Sequence, residues 1–381
     1  MKEYFFKKEY ILLYLEKFCY SLGNALIDIF GTVMLYKNGM PIYMILLVYG
    51  FRFGLMGLCS PLFITISKRF GIGICALIAN ALRIVGSYML LTGNSNNIIL
   101  FILVMSLPGA LSNPMEDAVS CRYIKTEHRG RYNSIRSITK ILGSAIASVI
   151  VTYGVVANNT NLIFGIVTLF FLLDFIFTAM ISYKPKIENK NNFKAIFNYI
   201  LHKKSSLKTI YSLRAFHIIE RLFLPLYIYI ALEDFKLFST VIIVSLIIQI
   251  IPIIIIGKTT DRNMKKTNSV VSILKIIVLS IFIFAKDKIV ISIDKTVNDN
   301  LEKVYDTNTQ TLIQNVTKNE NEDKSFLSTI GQMSLCFTEI IVLLIFALIA
   351  KIVDIEVFKL LFIGSIVATI LINKSCRKVN E

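Results

Sequence analysis

Apolar runs about as long as a bilayer is thick recur from one end of this chain to the other, separated by short polar links. A membrane-crossing helix needs about 20 predominantly apolar residues. By that rule twelve spans are expected, near 10–36, 41–66, 72–91, 98–119, 135–156 and 162–183, and again near 210–232, 237–257, 268–285, 288–312, 326–350 and 356–373. The tenth is the least apolar: Asp294, Lys295, Asp299, Glu302 and Asp306 fall in it. Such a helix holds in a membrane only where its charged face meets protein or water.

Charge gives the orientation. Lys2, Lys7 and Lys8, Lys68-Arg69, Arg122–Arg131, the linker after 183, Lys258–Lys266 and Lys374–Lys378 all fall on one side of the predicted spans. The opposite links, Lys37–Pro41, Thr92–Asn97, Ala157–Asn161 and Glu233–Lys236, are short and poor in basic residues. Basic links stay in the cytoplasm, so both termini are expected there and the chain is expected in the cytoplasmic membrane. The same distribution explains the net charge of +16 without nucleic acid as a partner. The six cysteines are scattered and form neither a disulfide framework nor a metal-ligand pattern. Three histidines, His128, His202 and His217, also lack metal-binding spacing. No phosphate-binding loop or nucleophile motif is present. Neither cofactor, metal nor catalytic residue is expected, and the chain does not read as an enzyme.

The linker 184–210 contains Phe193, Ile196, Phe197, Ile200 and Leu201 at helical spacing, with Lys194, Asn198, Lys203 and Lys204 on other faces. That pattern predicts an amphipathic helix on the inner membrane surface. It divides the chain into a first six-helix bundle, 1–183, and a second, 211–381.

Between spans eight and nine stands Gly257-Lys-Thr-Thr-Asp-Arg-Asn-Met-Lys-Lys266. It resembles the loop signature of the major facilitator superfamily of secondary transporters. Gly257, Asp261, Arg262, Lys265 and Lys266 match the signature, and Met264 departs from it. The resemblance implies an all-α integral membrane fold, with about twelve transmembrane helices in two pseudo-symmetric six-helix bundles. It also implies that Asp261 and Arg262 stabilise one access state. The corresponding first-half stretch is degenerate, with Lys68 at the acidic position and Ile64 at the first glycine. The Gly-Pro-rich signature of family antiporters is absent from span five, where Gly143–Ser148 offers a small-residue packing face instead.

An offset of about 192 residues carries Asp28 onto Glu220 and Arg83 onto Lys275, so intramembrane charges recur with the same sign in both halves. Ionisable groups deep in a membrane face the bundle interior and mark function. At the helical rise, Arg52, Arg83 and Arg221 lie roughly 16 Å from a span end and Asp28 roughly 12 Å, so the four can share one layer. Arg214, His217 and Arg221, with Glu220 beside them, form a polar stripe on span seven. The functional reading is a charged central cavity. Asp28 and Glu220 are candidate proton carriers, because burial disfavours a carboxylate and a neighbouring cation restores it. Arg52, Arg83, Arg221, Lys275 and His217 complete the candidate set, with the arginines placed to hold an anionic substrate group or to tune those carboxylates. The structural alternative is that Asp28–Arg52 and Glu220–Arg214 or Arg221 are ion pairs that lock helices. Glu116 and Asp117, with Lys68, Arg69 or Arg136 opposite and Gly257, Asp261 and Arg262 in the second half, form a candidate inner gate.

The sequence therefore reads as a permease. It is expected to move a small organic solute by alternating access as a monomer in the lipid bilayer, proton-coupled, with export preferred over uptake. The rival readings are a non-transporting membrane sensor, immunity or partner protein, and a lipid flippase.

Overall fold

The structure, a computed structural model, describes residues 8–92, 98–123, 129–181, 193–202, 206–319 and 324–378. Within these helices the side chains at 9, 116–118, 120–123, 129–130, 193–194, 201–202, 254–266, 315, 318–319, 324–325 and 375–378 lie outside the description. Every regular element among the described residues is a helix. In hydrocarbon the backbone must satisfy its own N–H and C=O groups, and a helix does so within one segment.

The first half holds α1 (Lys8–Asp28), α2 (Gly31–Lys37), α3 (Ile42–Cys59), α4 (Pro61–Phe70), α5 (Ile72–Leu91), α6 (Ile98–Tyr123), α7 (Arg129–Val156) and α8 (Thr160–Ala179). A short α9 (Phe193–His202) precedes the second half. That half holds α10 (Ser206–Leu232), α11 (Phe235–Ile248), α12 (Ile250–Phe284), α13 (Lys288–Asn319), α14 (Lys324–Val353) and α15 (Val357–Lys378). Nine stretches among the described residues, from Tyr10–Lys37 to Thr267–Phe284, are long and apolar enough to cross a membrane. Outward-facing Ile99, Tyr153, Phe284 and Ile352 are largely exposed, an arrangement that suits lipid and not water.

Turn chemistry ends several helices near the expected span ends. Gly39 takes a positive φ of 85° between α2 and α3, and extended Pro41 opens α3. The side chains of Asn159 and Asp234 accept the N–H groups of Leu162 and Lys236 at the starts of α8 and α11. Span one is interrupted at Ile29-Phe30, directly after Asp28, and span two breaks at Ser60-Pro61.

The two halves repeat one scheme of helix pairing. In the first, α1 packs on α7 and α8, α5 on α6 and α8, and α3 on α6. In the second, α10 packs on α14 and α15, α12 on α13 and α15, and α11 on α13. Between the halves the main seams are α3 with α14, and α7 with α11 and α12. Glycines allow the first seam: a Cβ on Gly57 would stand 2.8 Å from Cys336 Cβ, and one on Gly54 would stand 2.4 Å from Ile340 Cδ1. Within the first half a Cβ on Gly143 would meet the Phe18 carbonyl at 2.7 Å, which is the packing role expected of that small-residue stretch.

Two expectations change. The stretch 257–266 is not a loop: helical hydrogen bonding runs through it as part of α12. It contains no proline, and Gly257 in a helix costs only about 1 kcal/mol relative to Ala. The described apolar face of α9 is also not free to lie on lipid. Ile196 is buried, the Tyr199 ring packs on Phe326 with centroids 5.6 Å apart, and α9 rests on α14. Lys208 Nζ donates to the Ile200 carbonyl at 2.7 Å, satisfying an acceptor at the end of α9.

Candidate functional site

A cavity of about 330 Å³ lies between the two halves. Lysine and arginine side chains outnumber carboxylates on its wall nine to five. Asp28, Arg52, Arg83 and Arg221 all line it, from α1, α3, α5 and α10. Its first-half wall holds five cations and one acid, Asp28; its second-half wall holds four of each.

On the first-half side the arginines are held by neutral groups. Arg83 donates to Asn80 Oδ1 at 2.7 Å and to Ser112 Oγ at 2.6 Å, and lies over the Tyr20 ring at 4.7 Å. Arg52 donates through Nε to the Met105 carbonyl at 3.1 Å and lies over the Tyr49 and Phe53 rings. The expected Asp28–Arg52 pair is not among the described contacts. Asp28 instead lies within electrostatic reach of Lys140 and Lys303, one from each half.

On the second-half side the cations meet carboxylates from α13. Arg214 donates to Asp306 Oδ1 and to Gln310 Oε1, both at 2.8 Å, and Arg221 approaches Asp306 Oδ2 at 3.7 Å. Lys295 is bonded to Asp299, which also accepts from Ser245 at 2.5 Å. The charged residues of α13 thus face the cavity or the protein, the condition under which so polar a span survives. The alternative pairing of Glu220 with Arg214 or Arg221 is not what forms, because both arginines turn to Asp306.

Glu220, His217 and Lys275 do not line the cavity. They sit behind its wall. Lys275, fully buried in α12, is bonded to Glu302 and lies 3.3 Å from Glu220 Oε2 and 3.0 Å from His217 Nδ1. Asn298 donates to Glu220 Oε1 at 3.1 Å. An ammonium only donates, so towards Lys275 the His217 Nδ1 acts as acceptor; the same nitrogen lies 3.6 Å from Glu220 Oε2. One acceptor atom each from His217, Glu220 and Glu302 falls within a 4.8 Å cluster, the kind of donor set that holds a metal ion. The sequence hid it because Glu302 comes from a distant helix. The Lys275 ammonium already faces all three acceptors. Glu302 also lines the cavity, and so joins this buried cluster to it.

A family model described as Major Facilitator Superfamily matches residues 13–292. The chain belongs to the major facilitator superfamily. No curated protein matches it in sequence. In fold it is similar to a bacterial homologue of the iron transporter ferroportin in an outward-facing state, with a TM-score of 0.68, 13% identity and 98% and 99% of the two chains covered. The proton:xylose symporter XylE gives a TM-score of 0.68 at 11% identity, covering 96% of this chain and 94% of its own. The E. coli fucose:proton symporter FucP gives 0.64 at 13%, covering 95% and 97%.

In this facilitator, contacts between the halves lie on both sides of the cavity. On the side away from the termini, Tyr36 packs on Tyr229 at 6.3 Å, Phe30 on Phe238 at 6.0 Å and Tyr49 on Phe223 at 5.7 Å. On the side of the termini, Asn133 donates to Gln314 at 3.0 Å and to Thr311 at 3.1 Å. Of the gate candidates, the side chains of Glu116, Asp117, Asp261 and Arg262, and position Gly257, lie outside the described side chains. Arg69 is exposed, over the Phe70 ring at 5.2 Å.

Sequence reasoning missed Glu16, Lys17, Asp174 and Glu339. Glu16, Asp174, Asn80 and Arg83 line a small second cavity, and Asn80 donates to Asp174 at 2.6 Å. Lys17 and Glu339 line the main cavity. The rule that singled out Asp28 applies equally to a lone acid such as Asp174 or Glu339 in an otherwise apolar span.

Proposed function

We propose that this facilitator carries a small organic anion across the membrane by alternating access, coupled to protons. The observation that supports this most is the excess of cations on the cavity wall. Removing a cation from water is costly unless an opposite charge answers it. Arg52 and Arg83 hydrogen-bond to neutral groups. Although Glu339 faces Arg52, and Asp174 and Glu16 lie within electrostatic reach of Arg83, cations outnumber acids on the cavity wall. An anionic solute would supply the missing charge. Contacts on both sides of the cavity fit an occluded state, from which either seam could open. The division into bundles 1–183 and 211–381 around the linker 184–210 is part of this reading: each bundle would move as a unit. So is a monomer in the cytoplasmic membrane with both termini inside, supported by the one-sided placement of Lys and Arg. Asp28, the acid on the first-half wall, is the notable carboxylate there for a proton, whereas Glu220 is held in its cluster with Lys275.

The test is flux. Purified protein in liposomes is offered a panel of labelled mono- and dicarboxylates, sugar phosphates and neutral and cationic analogues, with and without a pH gradient. Uptake confined to anions, raised by the gradient and weakened on the order of tenfold in Arg52→Gln, equivalent to about 1.4 kcal/mol, is the expected result. Uptake of neutral or cationic solutes that ignores Arg52→Gln would sink the anion assignment.

A further inference from the structure

Glu339 stands apart from every other carboxylate on the cavity wall. It lies in the middle of α14, fully buried, and neither carboxyl oxygen receives a hydrogen bond from nitrogen or oxygen; the Cys336 thiol one turn away is its weak donor. Its neighbour on the same helix is the Cys336 thiol, which itself accepts from Gln332 at 3.1 Å. The charged groups facing it are Arg52 from α3 and Arg214 and Arg221 from α10. Arg214 and Arg221 are engaged by Asp306 of α13, while Arg52 meets neutral groups, the Met105 carbonyl and the Tyr49 hydroxyl. From α6, Met105 and Pro108 complete the wall. An ionised carboxylate so buried, with only a weak thiol donor, is costly by several kcal/mol, and such a group takes a proton instead.

Its position gives that proton a role. Cys336 and Ile340 flank Glu339 along the helix, and both meet the glycines of α3 at the seam between the halves. Glu339 belongs to the second half, and Arg52, across the seam, to the first. Resting on the anion-transport reading above, we infer that Glu339 is the proton site that controls Arg52. With the proton on Glu339, the carboxyl is neutral and the Arg52 guanidinium is available to an anion in the cavity. When that proton leaves to water, the carboxylate claims Arg52 and competes with the anion for it. Proton and anion would then be taken up together and released together, and nothing else need be consumed.

Infrared difference spectra of the purified full chain in lipid nanodiscs, from mildly acid to alkaline buffer, test the site without any substrate. The expected result is a carboxylic-acid carbonyl band that disappears in alkali, is absent from Glu339→Gln and returns, displaced, in Glu339→Asp. A band unchanged in Glu339→Gln overturns the inference. Proton uptake from weakly buffered solution on adding succinate, with inorganic phosphate as a second probe, is the companion measurement. It should be present in the native chain and lost in Glu339→Gln; equal uptake in both overturns the coupling to Arg52. A band that behaves as expected while the vesicle panel shows no flux of any solute supports the proton site and sinks the transport reading, so the two failures are distinguishable.

Discussion

The first and second halves of this facilitator answer the same problem, buried positive charge, in different ways. Arg83 in α5 and Lys275 in α12 stand on corresponding helices of the two repeats. Arg83 is held by an amide and a hydroxyl; Lys275 is held by two carboxylates and an imidazole. The contrast extends along the wall, where Arg52 meets a carbonyl and rings while Arg214 and Lys295 meet acids from α13. Neutral dipoles orient a cation without cancelling its field, whereas a carboxylate cancels most of it. The first half therefore keeps more of its charge directed at the cavity, with Asp174 and Glu16 offsetting part of Arg83, and the second uses its charge to hold its own helices together.

The largest expected effect attacks the second half directly. Lys275→Met leaves Glu220 and Glu302 buried without their cation and should cost about 3–5 kcal/mol, read as a lowered unfolding temperature of the purified protein. Arg83→Met strips two neutral hydrogen-bond partners, with Asp174 within electrostatic reach but not bonded to it, and should cost about 1–3 kcal/mol. Equal losses would break the comparison, and partial recovery in Lys275→Met with Glu220→Gln would sharpen it. Next come Arg52→Gln and Lys140→Gln, which should leave unfolding nearly unchanged yet weaken anion uptake on the order of tenfold, equivalent to about 1.4 kcal/mol. A third pair separates the seams. Gly57→Ala and Gly143→Ala each overpack a close approach, at about 1–3 kcal/mol. Gly57→Ala acts between the halves and should reduce flux; Gly143→Ala acts within the first and should appear chiefly as lower thermal stability. The smallest effect is Glu233→Gln, which removes an exposed partner of Lys288 at 3.2 Å. It should shift stability by less than about 1 kcal/mol and leave flux intact.

The span pattern and the existence of a charged cavity were legible in the sequence because lipid tolerates charge poorly. Asp28, Arg52, Arg83 and Arg221 were found by that rule alone. Partners were not legible. Whether Arg214 meets Glu220 or Asp306 depends on the rotation of two helices about their axes, which a lone sequence leaves open. Asp306 and Glu302 were seen only as blemishes in a weak span, although they are what α13 contributes to the wall. Glu339 was passed over because a single acid hardly lowers the hydropathy of so apolar a run. The repeat fared unevenly. Arg83 and Lys275 lie on corresponding helices, but Arg83 and Asp28 line the chamber while Lys275 and Glu220 lie behind its wall; α1 is interrupted just after Asp28, whereas α10 runs unbroken past Glu220.

Lys275 carries one last implication. A positive ion that is part of the polypeptide cannot diffuse away, and it is present at full occupancy whatever salt bathes the cell. Glu220 and Glu302 therefore need no sodium from outside to remain side by side. The second half should be equally firm in vesicles made with sodium, potassium or choline salts, leaving the choice of driving gradient to the groups that look into the chamber.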